Sequence, residues 1–191
     1  MIAQGWRTPA NAVTLTRILL TPVVVTAVIQ GRHREAAAWF ALAAFTDFFD
    51  GLLARSQHAE TSVGQYFDPI ADKFLLSGVF IALAIEGSVP GWFLALVLGR
   101  DLALVVASAI AMRFSTYSDY MPTIWGKIST VLQILAAVTL LASNAEGSRT
   151  YSSAANATVY AAAVGTAWSA VHYTWRGVMY FVRRTGPEKA R

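Results

Sequence analysis

The chain has no cysteine and few charged residues. Without cysteine, disulfide frameworks and thiolate metal sites are excluded in these 191 residues. Only 14% of the residues are charged, against about 25% in an average soluble domain. The residue types AVILMFWYC make up 55% of the chain, and they occur in runs long enough to cross a bilayer as helices. The composition therefore excludes disorder and predicts an integral membrane protein.

Histidine is also scarce. The three histidines, His33, His58 and His172, are widely separated, so no histidine-based zinc site is expected. The formal net charge of +4 could suggest binding to nucleic acid, but the basic residues form no run outside the C-terminal tail. Membrane topology accounts for their positions, and no nucleic-acid partner is predicted.

Apolar runs predict an all-α fold of six transmembrane helices in one domain, residues 1–191. Each span is near the roughly 20 residues that a bilayer requires. The predicted spans are Ala12–Ile29, Glu35–Ala54, Pro69–Ile85, Trp92–Met112, Ile124–Ala142 and Ala154–Val182. The predicted breaks are Gln30–Arg32, Ser56–Gly64, Glu86–Gly91, Ser115–Pro122 and Asn144–Ser153. Residues 1–11 read as an interfacial segment containing Trp6, and residues 183–191 as a polar tail that frays.

Lysine and arginine residues near the helix ends predict the orientation. Seven lie on the side of the two termini, namely Arg7, Arg55, Arg113, Arg183, Arg184, Lys189 and Arg191. Three lie on the other side, namely Arg32, Arg34 and Arg149. Because cytoplasmic loops carry the excess of basic residues, both termini are expected in the cytoplasm. We expect a bacterial inner (plasma) membrane, with the connection between the second and third helices facing the cytoplasm.

Four aspartates flank that connection. Asp47 and Asp50 are three residues apart near the end of the second helix, and Asp68 and Asp72 are four apart at the start of the third. Each pair therefore shares a helix face. Acidic residues in apolar helices are costly, which makes them functional candidates. Pro69 suits a first helical position, so Asp68 alone could be an N-cap, but capping does not explain the other three.

Carboxylates in this arrangement predict a metal site. The short connection predicts that the second and third helices are antiparallel neighbours, which brings both aspartate pairs together. Four ionised carboxylates in a low-dielectric cleft would repel one another, and divalent cations remove that repulsion. All-oxygen ligation suits Mg²⁺, Mn²⁺ or Ca²⁺, and two such ions about 4 Å apart form the usual clamp for displacement at phosphorus. The spacing does not indicate which carboxylate is the general base.

The aspartates belong to a longer pattern, Asp47-x2-Asp50-Gly51-x2-Ala54-Arg55-x8-Gly64-x3-Asp68-x3-Asp72. These eight positions resemble, residue for residue, the signature of the CDP-alcohol phosphotransferase family. The upstream stretch Pro9-x-Asn11-x2-Thr14-x2-Arg17 is similar to the Pro-Asn-x2-Thr-x2-Arg element of that family, with one residue inserted. Members of the family have six transmembrane helices preceded by an amphipathic segment, as predicted for this chain.

The resemblance implies phosphatidyl transfer, in which an acceptor hydroxyl attacks the lipid-linked phosphate of CDP-diacylglycerol and CMP leaves. It implies two divalent cations, Mg²⁺ or Mn²⁺, and a homodimer. The implied metal ligands are Asp47, Asp50, Asp68 and Asp72, with Asp72 as the proposed general base. The implied nucleotide-binding residues are Asn11, Thr14, Asp47, Gly51, Ala54, Arg55 and Gly64.

The second half of the chain bears on the acceptor. The candidate residues for the acceptor or lipid phosphate are Arg17, Lys73, Arg100, Lys127, Thr130 and Gln133. In the fifth helix the last three of these recur at three-residue steps, so a polar face is expected to run into an apolar stretch and line the same cavity. Arg100 and Asp101 can also be interpreted simply as a local charge pair.

Two subgroups of the family resemble this region. Bacterial phosphatidylglycerophosphate synthases have Gly-Lys-x-Lys-Thr-x2-Gln, and in helix four an Arg-Glu followed by a second Arg. Here Ser129 replaces the second Lys, Asp101 replaces the Glu, and no second Arg occurs before Arg113. Three features are more similar to the mitochondrial-type cardiolipin synthases, which also occur in bacteria. They are the Arg100-Asp101 pair and the two strings Pro122-Thr123-x2-Gly126-Lys127-x2-Thr130-x2-Gln133 and Thr166-Ala167-Trp168-Ser169-Ala170-x2-Tyr173.

Fewer cations suit a phosphodiester rather than a phosphate dianion. We therefore expect phosphatidylglycerol as the acceptor, with cardiolipin and CMP as products. Transfer to glycerol 3-phosphate, giving phosphatidylglycerophosphate, is the alternative. A divalent-cation transporter built on the four aspartates is a remote alternative, because transporters commonly contain internal repeats and the Asp-x2-Asp-Gly pattern has no second copy.

Overall fold

The computed structural model describes residues 9–57, 64–114, 123–147 and 149–185, and within them the side chains of residues 16, 18–45, 73–107, 123–147, 152–177 and 179. Six helices are found in order: α1 Pro9–Ile29, α2 His33–Gln57, α3 Gly64–Ile85, α4 Gly91–Phe114, α5 Ile124–Glu146 and α6 Arg149–Thr185. Because no strand occurs among these described residues, the prediction of an all-helical chain is confirmed for them.

Three tight turns carry the clearest local signals. The turns between α1 and α2, between α3 and α4, and between α5 and α6 each contain a glycine with positive φ, at Gly31, Gly87 and Gly147. Glycine adopts this left-handed conformation without steric cost, which ends the preceding helix. The first two turns lie at the predicted breaks. The third is much shorter than the predicted break of residues 144–153, because the Gly147 N–H donates to the Ser143 carbonyl and closes α5.

Helix ends differ from the predictions at three further places. α1 begins at Pro9, where proline fits the first helical position because its missing N–H needs no partner there. α3 begins at Gly64, so Asp68 lies inside the helix and the predicted N-cap is wrong. Pro69 removes one main-chain donor in the second turn without ending the helix. α6 continues to Thr185, so the predicted tail from residue 183 is helical at its start.

The core is formed where α1 packs against both α2 and α3 and where α5 packs against α6. Gly78 of α3 allows this approach, since a Cβ atom there would lie 3.2 Å from side-chain carbons of both Thr21 and Val25. In the described part of the chain, α1 makes extensive contacts with both α2 and α3. The predicted direct packing of α2 against α3 is not among the extensive contacts there. α5 packs against α6 and α2, while α4 packs against α6 and α3.

The bundle has two distinct ends. The turn end is the end that contains the three tight turns. The terminal end is the other one, where α1, α3 and α5 begin and α2, α4 and α6 end. Hydrogen bonds from Thr139 to Thr158 and from Thr123 to Tyr173 show that α5 and α6 are antiparallel.

Many large apolar side chains are exposed on the outside of the bundle, including Leu19, Ile85, Leu102, Val164 and Val171. An exposed apolar surface of this extent is typical of a lipid-facing or partner-facing surface. Within the described residues, α5 is long and apolar enough to cross a membrane, and two shorter apolar stretches occur at Ile18–Ile29 and Lys73–Ile85. The other predicted spans and the orientation of the termini stay predictions.

Candidate active site

The backbone places the four predicted aspartates at the terminal end. Asp47 and Asp50 lie in the second half of α2, and Asp68 and Asp72 lie in the first three turns of α3. Their side chains are outside the described set. The described residues on the same helices nevertheless fix the register of each helix face, because helical side chains three and four positions apart lie on one side.

In α2 the aspartates continue a buried stripe. Ala36, Phe40 and Ala43 are all at most 1% exposed, and they follow one another at steps of four and three. Asp47 and Asp50 extend the same series by steps of four and three. Both aspartates therefore occupy register positions of the helix face that is core-forming over the preceding turns.

The same holds in α3. Leu75, Val79 and Leu83 are buried at steps of four. Asp72 precedes Leu75 by three residues, and Asp68 precedes Asp72 by four. The two aspartate pairs thus stand where the core-forming faces of α2 and α3 approach the terminal end.

The other predicted nucleotide-binding residues lie in the same region of the backbone. Gly51, Ala54 and Arg55 are in the final turns of α2, and Gly64 is the first residue of α3. Asn11, Thr14 and Arg17 are in the first turns of α1, which packs against both helices. These side chains are outside the described set, so the nucleotide pocket stays a prediction.

A buried cluster of charges begins at the residue after Asp72. Lys73 Nζ donates a hydrogen bond to Oδ1 of Asp101, and Arg100 Nη1 donates to the same oxygen over 2.7 Å. Arg100 is 6% exposed and Asp101 is 9% exposed. The local pair of Arg100 and Asp101 is therefore present, but Lys73 extends it into a cluster that joins α3 to α4. We refer to these three residues as the cation cluster.

Arg100 is also held by α5 and α6. Its Nη2 donates to Ser169 Oγ over 3.0 Å and to the Gly126 carbonyl over 3.5 Å. Its Nε is buried and has no hydrogen-bond partner within the described part of the chain. The guanidinium is thus fixed by neighbours from three helices while one donor stays available for an oxygen atom.

The start of α5 fits tightly against this guanidinium. A Cβ atom on Gly126 would lie 2.8 Å from Tyr173 Oη and 3.3 Å from Arg100 Nη2, so no larger residue fits without movement. Tyr173 Oη accepts from the Thr123 N–H over 3.0 Å, and Thr123 Oγ1 caps α5 by accepting from the Gly126 N–H. The two motif strings of α5 and α6 therefore contact each other around Arg100.

Lys127, Thr130 and Gln133 do not share one environment. Gln133 is 1% exposed, and its Nε2 donates to Thr166 Oγ1 over 2.9 Å. The Thr130 hydroxyl donates to the Gly126 carbonyl over 3.1 Å, whereas Lys127 is exposed. The reason is geometric. Three residues cover less than one helical turn, so each of these side chains points about 60° away around the helix axis from the previous one. Their predicted roles at the acceptor stay predictions.

Sequence reasoning missed several members of this network as site residues, namely Asp101, Thr123, Gly126, Ser169 and Tyr173. Four of them belong to the two strings from which the acceptor was predicted, and Asp101 belongs to the Arg100-Asp101 pair, so a signal for them was present. Their contacts span up to 69 residues of sequence, as between Arg100 and Ser169, which a local pattern cannot indicate. Among the described side chains, no group of three or more His, Asp or Glu could hold a metal ion. The four predicted ligands are outside that set.

A family profile described as CDP-alcohol phosphatidyltransferase matches residues 7–172, which include all four aspartates and the cation cluster. The chain belongs to the CDP-alcohol phosphatidyltransferase family. Members of this family are membrane proteins that use CDP-alcohol substrates with glycerol-containing acceptors, and they generally depend on divalent cations. The prediction of the family from the aspartate pattern is therefore confirmed.

Relatives of this chain carry both names that the sequence suggested. A probable phosphatidylglycerophosphate synthase of Mycobacterium tuberculosis is 40% identical over 134 residues, covering 66% of this chain and 62% of that protein. A CDP-diacylglycerol–glycerol-3-phosphate 3-phosphatidyltransferase of Rickettsia felis is 34% identical over 150 residues, covering 72% and 77%. A probable cardiolipin synthase (CMP-forming) of Drosophila melanogaster is 30% identical over 140 residues, covering 65% and 44%.

Proposed function

We propose that this chain transfers the phosphatidyl group of CDP-diacylglycerol to phosphatidylglycerol, giving cardiolipin and CMP. The observation that carries the choice of acceptor is Ser129. It stands where the phosphatidylglycerophosphate synthase pattern has a second lysine, it is fully buried, and its Oγ lies 3.1 Å from Thr166 Oγ1. A buried serine there adds no positive charge, which suits a phosphodiester better than a phosphate dianion.

The donor side of the reaction rests on the four aspartates. Asp47, Asp50, Asp68 and Asp72 would hold two divalent cations, Mg²⁺ or Mn²⁺, since hard oxygen ligands on neighbouring helical turns suit these ions. When bound, such ions neutralise the pyrophosphate oxygens of the CDP-alcohol and stabilise the leaving CMP. Asn11, Thr14, Gly51, Ala54, Arg55 and Gly64 would line the nucleotide pocket together with Asp47. Small residues at three of these positions leave room for the nucleotide.

The acceptor side rests on the cation cluster and its neighbours. The hydroxyl oxygen of phosphatidylglycerol forms the new bond to phosphorus, the phosphorus–oxygen bond to CMP breaks, and Asp72 accepts the hydroxyl proton. Lys73, Arg100, Arg17 and Lys127 would bind the acceptor or lipid phosphate. Thr130 and Gln133, which are engaged inside the bundle, would support this subsite through the α5–α6 contact.

For the whole protein we propose six transmembrane helices in a bacterial inner membrane, with both termini and the active site on the cytoplasmic side. The exposed apolar side chains and the excess of basic residues on the side of the termini support this arrangement. A homodimer is proposed from the family resemblance.

Glycerol 3-phosphate is the second candidate acceptor. It is favoured by the names of the relatives from Mycobacterium tuberculosis and Rickettsia felis. That reaction would use the same donor site and would give phosphatidylglycerophosphate.

One assay separates the two candidates. Purified protein in detergent is incubated with labelled CDP-diacylglycerol, Mg²⁺ or Mn²⁺, and either phosphatidylglycerol or glycerol 3-phosphate, and the lipids are then separated. We expect cardiolipin and CMP with phosphatidylglycerol. Product with glycerol 3-phosphate alone would overturn the choice of acceptor, and no CMP with either alcohol would overturn the proposed activity.

A further inference from the structure

We infer that Asp101 is a specificity-determining residue that makes the acceptor subsite favour a singly charged phosphodiester over a doubly charged phosphomonoester. It does so by lowering the positive charge that Lys73 and Arg100 present. The inference rests on the proposed function, since it concerns the charge of the phosphate that the acceptor brings to that same site.

The geometry ties both cations to one atom. Lys73 Nζ comes from α3 and Arg100 Nη1 from α4, and both donate to Asp101 Oδ1. Two positive charges and one negative charge leave the cluster at +1. Because the side chains of Arg100 and Asp101 are only 4% and 12% exposed, water screens these charges poorly and the carboxylate counts almost fully at the subsite.

The cluster keeps donors available for a ligand. Arg100 Nε is buried without a partner in the described part of the chain. The Lys73 side chain is 30% exposed and carries three donors, so its ammonium is accessible from one side. An unpaired buried donor lowers the stability of the fold unless an oxygen atom accepts its hydrogen bond. A purely structural ion pair would therefore not be expected to leave Arg100 Nε unpaired, whereas a site that binds an oxygen-containing ligand would.

The position of the guanidinium is fixed before any ligand arrives. Ser169 Oγ and the Gly126 carbonyl hold Nη2, while Asp101 holds Nη1. The Arg100 guanidinium therefore keeps its position whether the bound phosphate carries one negative charge or two. The subsite discriminates by its net charge rather than by rearrangement.

The charge balance then distinguishes the two acceptors. A phosphodiester carries one negative charge, which a cluster of +1 neutralises. A phosphomonoester carries almost two above its second pKa of about 6, and a cluster of +1 leaves one of them without a compensating charge. Removing the charge of Asp101 raises the cluster to +2, as the second Arg of the phosphatidylglycerophosphate synthase pattern does beside its Glu, and favours the monoester.

Two soluble probes test this balance on the full-length protein in detergent. Glycerophosphoglycerol is a phosphodiester and glycerol 3-phosphate is a phosphomonoester, and their dissociation constants are measured at pH 8 and fixed ionic strength. The original protein should bind the diester more tightly. In Asp101→Asn, which keeps the shape and one acceptor oxygen, the ratio of the two constants should move at least about tenfold toward the monoester, as expected for one poorly screened charge.

Matched variants separate charge from structure. Asp101→Glu keeps the charge and should keep the preference for the diester. Glu86→Gln removes a partly buried carboxylate that contacts His33 at the turn end, away from the cation cluster, and should leave the ratio unchanged. If Asp101→Asn does not fold, Lys73→Gln lowers the cluster to zero and should weaken binding of the monoester more than that of the diester.

The inference would be overturned if folded Asp101→Asn showed an unchanged ratio of the two dissociation constants. It would also be overturned if folded Lys73→Gln lost affinity equally for both probes. Failure of the proposed function has a different signature. In that case the original protein would bind the probes with the stated preference but release no CMP with any alcohol.

Discussion

The two ends of the bundle use polar side chains in different ways. At the turn end, Arg32 pairs with Glu35 and Arg34 with Glu146 at the surface, with about half or more of each side chain exposed. At the terminal end, Arg100 and its partners are buried and cross-linked among four helices. Exposed ion pairs contribute little to stability, whereas burying charges is costly. The difference supports the proposal that the active site lies at the terminal end.

The largest effect is expected at the aspartates. Asp72→Asn should lower turnover about 10²- to 10⁴-fold, because the acceptor hydroxyl loses its base. Metal should still bind, because Asp47, Asp50 and Asp68 are the principal proposed ligands and Asp72 only completes the site. Asp47→Asn should instead weaken metal binding. Turnover is measured with labelled CDP-diacylglycerol and metal affinity by calorimetric titration. Unchanged metal affinity in Asp47→Asn would remove that residue from the ligand set.

The tight packing of α5 against Arg100 predicts the next effect. Gly126→Ala should destabilise the protein by about 1–3 kcal/mol, because the new Cβ atom meets Tyr173 Oη and the guanidinium. Gly99→Ala is the matched control, since a Cβ atom there meets nothing within 4 Å and should stabilise the helix by about 0.5–1 kcal/mol. Thermal unfolding in detergent compares the two. Equal stability of both variants would contradict the packing described for Gly126.

A smaller effect is expected deeper in the α5–α6 contact. Gln133→Met removes the hydrogen bond to Thr166 while Ser129 stays beside that hydroxyl, so a loss of about 1 kcal/mol is expected. The KM for the acceptor should not change, because the Gln133 amide is buried and already paired. A raised KM with unchanged stability would show that Gln133 contacts the acceptor instead.

The smallest effect is expected at the turn end. Arg34→Ala removes an exposed partner of Glu146 whose charged atoms are 4.0 Å apart. Unfolding free energy should change by no more than about 0.5 kcal/mol, and turnover should not change. A loss of turnover in this variant would remove the contrast between the two ends.

Local chemistry made much of the helical framework predictable. Apolar runs located all six helices, and Gly31 and Gly87 marked the turns after α1 and α3 closely. The start of α3 was misplaced because Pro69 imitates a first helical position. The α5–α6 turn was predicted to be too long, because the polar residues on both sides of Gly147 are typical of a loop although they continue the two helices.

The site was predictable only in part. The aspartate pattern lies within 26 consecutive residues, so its spacing could be interpreted without the fold. Asp101 could not be recognised as a bridge, because its contact with Lys73 depends on how α3 and α4 pack. The position of α1 beside both α2 and α3 likewise follows from side-chain volumes, such as the missing side chain of Gly78, rather than from any repeat in the sequence.

The length of α6 sets a mechanical constraint on the cation cluster. Its 37 residues span about 55 Å at 1.5 Å per residue, more than the roughly 40–45 Å of a bilayer with its headgroups. Tyr173 of α6 lies level with the start of α5, so residues 174–185 continue beyond it. In a membrane such a helix has to tilt or emerge. Since Ser169 of the same helix holds Arg100, the depth of the proposed acceptor subsite in the membrane depends on the position of α6 relative to the lipid.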